Sequence, residues 1–324
     1  MVYLKLELAF RLLGKKRKDT CNDSCQDTNA WSFIKNEIDK AKERHSYKTA
    51  ANYLTAANSL SHFWEHREWT FADIIHDEMG LFQRWLVERG LCMNTISCYM
   101  RSLRTLYNRA VECGLVEDTH PFSKVFTGKK YTRKRSAQEE DIHRLRNLYL
   151  GERSSLSLAR DIFLFSFYAM GMPFVDIAYL RKDQVKGDKI HYARHKTGQP
   201  ITVTLLPPML QMMKRYESSG SDYVFPILSD AAPDVQHREY CRSLRRYNYS
   251  LHRLSEMLGL PRSLSSYVVR HSWASIAYRH HIDLGMIGKA MGHTKTSTTL
   301  LYIRSLFDPD LATANQELME GLGL

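Results

Sequence analysis

Apolar residues recur at helical intervals along most of the chain. From Ser46 to His66 the positions Tyr53, Leu54, Ala57, Leu60 and Phe63 or Trp64 fall at the spacing of one helix face. Leu81 to Glu88 presents Phe82, Trp85 and Leu86, and Gly90 supplies a stop. Asn94 is placed to cap a helix carrying Ile96, Tyr99, Leu103, Leu106, Tyr107 and Ala110, which Gly114 ends. With Trp31 to Ala41 these segments predict about four short helices around an aromatic core, a module of roughly a hundred residues. A second helical set follows. Ser136-Ala137-Gln138-Glu139 reads as a capping box, and Ser157 to Ala169 as a strongly apolar helix. The period then changes. Lys189 to Arg194 and Ile201 to Leu205 read as two strands, joined by the breaker-rich turn His195-Lys196-Thr197-Gly198-Gln199-Pro200. Helices are expected again at about 208–217, 237–258, 264–280, 283–291 and 308–320. The fold class is therefore mainly α with a small antiparallel β-sheet.

Composition narrows this picture. The chain has 324 residues, 44% hydrophobic and 25% charged, enough for two domains with separate cores. No apolar run approaches the roughly 18 residues of a membrane span. The start, Met1 to Gly14, carries Lys5, Glu7 and Arg11 and lacks a small-residue cleavage site, so no signal peptide and a cytoplasmic location are expected. Cys21, Cys25, Cys92, Cys98, Cys113 and Cys241 are scattered, with no second Cys or His pair at ligand spacing. Reduced thiols, no metal and no cofactor are the expectation.

Charge points toward a partner. A net charge of +11 favours a polyanion through counterion release. The cations are clustered at Lys15-Lys16-Arg17-Lys18, at Lys129, Lys130, Arg133, Lys134 and Arg135, and at Arg242, Arg245 and Arg246 on a predicted helix. Three such runs favour nucleic acid, and the second is the candidate DNA-binding stretch, lying between the two helical sets as a linker. The expected divisions are a short basic segment 1–28, a helical core DNA-binding domain 29–120, a basic linker 121–135, a catalytic domain 136–304 and a tail helix 305–324.

The candidate chemistry is gathered near the end: Arg270-His271-Ser272-Trp273, then Gly292-His293, then Tyr302 after Thr298 and Thr299. An arginine grips a phosphate with a planar fork of donors, a histidine can donate to the same group, and a tyrosine can attack it once nearby cations lower its pKa. Lys196 projects from the predicted hairpin turn.

These motifs carry a family resemblance. Asn94 to Val111, Arg160 to Tyr168, Gly171 to Leu180, Lys196-Thr197-Gly198, Tyr267 to Ala274, Gly292-His293 and Tyr302 resemble the tyrosine recombinase (phage integrase) family, in detail the variant common in mobile elements of Bacteroides-type bacteria. The resemblance implies a helical, SAM-like core-binding domain and a mixed α+β catalytic domain clamped around double-stranded DNA. It also implies that Tyr302 forms a 3′-phosphotyrosyl bond, Arg270 and His293 bind the phosphate, and Lys196 protonates the leaving 5′-oxygen. A homotetramer on paired recombination sites, acting without ATP or metal, completes the implied activity: integration, excision or inversion.

Two departures qualify it. Tyr267 stands where the family places a histidine. Pro173 follows Gly171-Met172 where the family places its first arginine, and Arg160 is the candidate substitute, the alternative being an ordinary ion-paired arginine. In the tail, Leu311, Ala314, Leu318 and Leu322 recur on one face among Asp308, Asp310, Glu317 and Glu320, which suits either a helix packed on its own domain or one docked on a neighbouring protomer. A DNA-binding accessory protein that has lost catalysis and a strand-relaxing topoisomerase are the competing readings.

Overall fold

The computed structural model describes residues 29–132, 135–151, 154–293, 298–300, 315–316 and 318–323. Two compact units divide between Tyr131 and Thr132. Tyr302, Arg133, Lys134 and most of the expected tail helix lie outside the described residues. Among those described, no helix is long and apolar enough to cross a membrane.

The first unit consists of α1 (Ala30–Glu43), α2 (Tyr47–Phe63), α3 (His76–Glu88) and α4 (Met93–Glu112). Each buries its apolar stripe, and Phe33, Ile34, Leu60, Phe82, Ile96, Leu103 and Tyr107 form one core. Glycine stops two of the helices: Gly90 (φ +78°) and Gly114 (φ +73°) take the left-handed conformation that lets a helix end be capped by its own backbone. One expectation is corrected here. Asn94 does not cap α4, which starts one residue earlier, after Cys92. Its amide instead brackets Lys130, accepting from the backbone N–H and donating to the carbonyl, both at 2.8 Å. Of the expected basic linker 121–135, the part through residue 130 packs on this unit. Phe122 and Val125 are buried in the core, and Ser97 Oγ donates to the Gly128 carbonyl at 2.6 Å.

The second unit contains α5 (Glu139–Asn147), α6 (Ser155–Tyr168), α7 (Phe174–Ala178), α8 (Pro207–Tyr216), α9 (Pro233–Met257), α10 (Val268–Arg279) and α11 (Leu284–Ala290). The expected capping box moves to Gln138 and Asp141, so α5 opens at Glu139. Ile162, Phe163, Leu164 and Phe165 are all buried, so α6 is apolar nearly all round and serves as the central element. The sheet has three antiparallel strands in the order β1 (Val185–Lys186), β2 (Lys189–Ala193) and β3 (Pro200–Thr204). The short β1, two residues long, carries no readable alternation in the sequence. On β2 and β3 inward and outward residues alternate: Ile190 faces Val203 across the ladder and Tyr192 faces Ile201.

Candidate active site

The site is built in the second unit where three chain ends meet: the turn after α6, the far end of β2 and the exit of α11. Arg270, in the first turn of α10, is 3% exposed. Its NH1 donates to the Gly171 carbonyl at 2.8 Å, its NH2 donates to the Met291 carbonyl, and NH2 also lies 3.2 Å from His293 Nε2. Gly171 (φ +76°) permits this approach, since a Cβ there would stand 3.1 Å from Arg270 Cα. The guanidinium is thus aimed by two backbone carbonyls.

His293 owes its place to the way α11 ends. Gly292 (φ +63°) donates to the Lys289 carbonyl at 3.0 Å, and His293 N donates to the Gly288 carbonyl at 2.9 Å. These two bonds form the paired cap in which a left-handed glycine terminates a helix. The imidazole then lies between Arg270 on Nε2 and Thr299, whose Oγ1 is 2.9 Å from Nδ1. Burial, with the charges of Arg270 and Arg194, pushes its pKa down to about 4, so the ring is neutral near pH 7.

A second buried cation stands here, and the sequence reading missed it. Arg194, just beyond β2, is 9% exposed and donates from NH1 to the same Met291 carbonyl at 2.8 Å. Its Nε lies 3.5 Å from Asp176 Oδ2. Asp176, on α7, accepts from His195 N at 3.0 Å through Oδ1, and burial raises its pKa against the opposing pull of that N–H and of Arg194. The signal was present: Ile190, Tyr192 and Arg194 share strand parity, so the last inward position is a cation. Gly292 again makes room, since a Cβ there would stand 2.7 Å from Arg194 Cδ.

The remaining expected residues fall into three groups. Lys196 is exposed in a tight turn closed by Arg194 N to the Gln199 carbonyl and Gly198 N to the Arg194 carbonyl, both 2.8 Å. Tyr267 is 54% exposed at the head of α10, its ring centre 5.4 Å from that of His271. Arg160, the candidate substitute for the first arginine, pairs through its Nε with Asp161 at 2.9 Å and donates from NH1 to the Leu148 carbonyl at 2.7 Å. Asp161 is buried and also accepts from Arg215 and Tyr216, so Arg160 belongs to a polar knot between α6 and α8. Lys129, Lys130 and Arg135 are exposed, as are Arg242, Arg245 and Arg246 on α9. Among the described residues no group of three or more His, Cys, Asp and Glu could hold a metal ion.

Comparison with known proteins decides the class. Residues 136–308 match the model of the phage integrase family, and residues 30–125 match that of the phage integrase SAM-like domain. The chain belongs to the phage integrase family. Its members are tyrosine site-specific recombinases, enzymes that break and rejoin DNA strands, and this chain is one of them. It is 21% identical over 277 residues to tyrosine recombinase XerC of Rickettsia canadensis, covering 82% of this chain and 88% of that protein. With XerC of Roseiflexus sp. it shares 25% over 275 residues, covering 81% and 85%. Among solved structures, the Tn1549 transposon integrase in complex with a circular intermediate DNA shares the fold with a TM-score of 0.60 at 14% identity, covering 90% of this chain and 99% of that one. A lambda integrase tetramer bound to a Holliday junction gives 0.60 at 13%, covering 93% and 86%. The expected helical SAM-like domain and mixed catalytic domain are therefore present in this integrase.

Proposed function

We propose that this integrase cuts double-stranded DNA with Tyr302 as the nucleophile, holding the strand as a 3′-phosphotyrosyl ester until a 5′-hydroxyl of another strand displaces the tyrosine. The observation that carries the reading is the convergence of Arg270, Arg194 and neutral His293 on the exit of α11. Two buried, fixed guanidiniums beside a half-buried imidazole suit the charge that grows on a phosphate's non-bridging oxygens at the transition state. Because carbonyls set the geometry of both guanidiniums before DNA arrives, those cations need little reorganisation during reaction.

Arg194 takes the part of the cation absent at Pro173. Lys196, two residues further along the same turn, protonates the departing 5′-oxygen. Tyr267 supplies a hydrogen bond at the edge of the site. Positive surfaces on both units, Lys129 and Lys130 on one, Arg135 and the α9 arginines on the other, neutralise the DNA backbone. The separated motifs from Asn94 to Tyr302 support reading the enzyme as the Bacteroides-type mobile-element variant, working in the cytoplasm. The DNA-bound tetramer among its structural neighbours supports a homotetramer on paired sites.

The test is a nicked duplex carrying the recombination site, on which cleavage traps a covalent protein–DNA adduct stable to detergent. Wild-type protein forms the adduct. Tyr302→Phe abolishes it, and Arg194→Ala and Arg270→Ala each lower its rate by about 100-fold or more. Intact binding with no adduct from wild-type protein would identify a DNA-binding accessory protein instead.

A further inference from the structure

Thr299 lies three residues before Tyr302 and is 0% exposed. The neighbouring helix makes space for it. A Cβ built at Gly288 would stand 2.9 Å from Thr299 Oγ1, so only glycine leaves room for the hydroxyl. The same Gly288 carbonyl accepts the backbone N–H of His293. One residue of α11 therefore fixes both the imidazole and the hydroxyl that meets it.

The hydrogen-bond directions are constrained. A guanidinium only donates, so Arg270 NH2 at 3.2 Å requires a lone pair on His293 Nε2. The neutral ring then carries its proton on Nδ1, donated to Thr299 Oγ1 at 2.9 Å. A DNA phosphate oxygen reverses the demand, because it only accepts, and an imidazole that donates to it from Nε2 must present a lone pair at Nδ1. A threonine hydroxyl can accept in the first state and donate in the second. We propose that Thr299 is a positioning residue that orients His293 and lets its imidazole exchange tautomers when a DNA phosphate enters, with Gly288 as the notch that admits it. Nδ1 releases its proton to solvent and Nε2 takes one up, so the ring remains neutral. This inference rests on the recombinase reading for the identity of the phosphate, and on the resting site alone for the tautomer.

Thr299→Val keeps the shape and removes the hydroxyl, Thr299→Ser keeps the hydroxyl, and Gly288→Ala pushes the hydroxyl away. With the full-length protein on the nicked duplex, Thr299→Val and Gly288→Ala are expected to lower the adduct rate by about 10-fold or more while DNA affinity holds. Thr299→Ser restores most of the rate. Histidine-selective nitrogen NMR on the DNA-free protein reads the tautomer directly: Nδ1 protonated in wild type and in Thr299→Ser, and a mixed population in Thr299→Val. In the valine variant the Nδ1–H loses its Thr299 acceptor, and that loss competes with the long Arg270 contact at 3.2 Å. Equal rates for wild type and Thr299→Val, or a serine variant as slow as valine, would overturn the proposal. If wild-type protein forms no adduct, the recombinase reading fails, and the NMR then decides this one: an unchanged tautomer in Thr299→Val overturns it.

Discussion

Arg194→Ala tests the site's construction through stability before any DNA is added. The substitution strips Asp176 of its cation and leaves a carboxylate 4% exposed, with only the His195 N–H at 3.0 Å as a donor. Breaking a buried ion pair costs about 3–5 kcal/mol. Arg270 still faces the carboxylate, and burial already raises the pKa of Asp176, so protonation is an escape that favours the lower figure. The Met291 carbonyl also loses its Arg194 donor, worth about 1 kcal/mol. The sum, about 4 kcal/mol, is a large share of the roughly 5–15 kcal/mol of a typical domain. The pH dependence has a definite sign. Losing Arg194 raises the folded-state pKa of Asp176 further above its unfolded value. The destabilisation is therefore fully present above the folded pKa and disappears as pH falls through it toward the unfolded value. Urea unfolding of wild type and variant at pH 7 and at pH 4.5, followed by hydrogen exchange of the β2–β3 peptides, measures both quantities. Pairing Arg194→Met with Asp176→Leu should recover all but about 1 kcal/mol of the stability, because two apolar groups replace a buried pair at little cost. A loss under about 1 kcal/mol for Arg194→Ala, or one equal at both pH values, would refute the reasoning.

Three further outcomes follow from the same geometry. Gly292→Ala forces an L-residue into φ +63° and sets a Cβ 2.7 Å from Arg194 Cδ and Ile201 Cδ1, which together should cost about 2–4 kcal/mol in urea unfolding. His293 titrates at about 4 in the folded protein against about 6.5 unfolded, so its contribution is complete above 6.5 and is lost as pH falls toward 4. That shift caps the loss near 3 kcal/mol, and partial exposure brings it to about 1–2 kcal/mol, measured as the difference in pH dependence between wild type and His293→Gln. Arg160→Ala should lower stability by about 1–2 kcal/mol while leaving cleavage per folded molecule unchanged, because Arg215 and Tyr216 still satisfy Asp161. A folded Arg160→Ala protein that cannot cleave would return that residue to the site.

Periodicity made most of the helices legible, because each buries one stripe, and the β2–β3 hairpin was readable from its alternation and the breakers at 195–200. Boundaries failed where side chains found distant partners. Asn94, a good capping residue, is drawn off to Lys130, 36 positions away, and no local pattern encodes that. Arg270 and His293 were visible as residue types at a spacing, but their mutual contact depends on the glycines at 171 and 292 that admit close approach. Arg160 stands on the helix before the expected turn, and its contacts with Asp161 and the Leu148 carbonyl come from residues near it in sequence. Arg194 is hard to read because it adjoins the breaker-rich turn that carries Lys196. A cation on the inward side of a strand is a stronger signal than an outward one, since burial without a partner is so costly.

What the site requires is positive charge at a place, and more than one chain position can deliver it. The Met291 carbonyl sits at the end of α11, where the last peptide groups of a helix attract cations, and guanidiniums from α10 and from the end of β2 both reach it. Pro173 opens α7 two residues after Gly171, whose carbonyl holds Arg270, so an arginine there would start beside the same group. It would also stand one helical turn before Asp176, close enough to pair with it. Pro173→Arg in the Arg194→Ala background should therefore recover part of the lost adduct formation and part of the lost stability together. Alone, in a chain that retains Arg194, it should give no gain, because two guanidiniums would compete for one carboxylate. Full activity of Arg194→Ala without Pro173→Arg, or no recovery in a folded double variant, would mean that Arg194 only fills space.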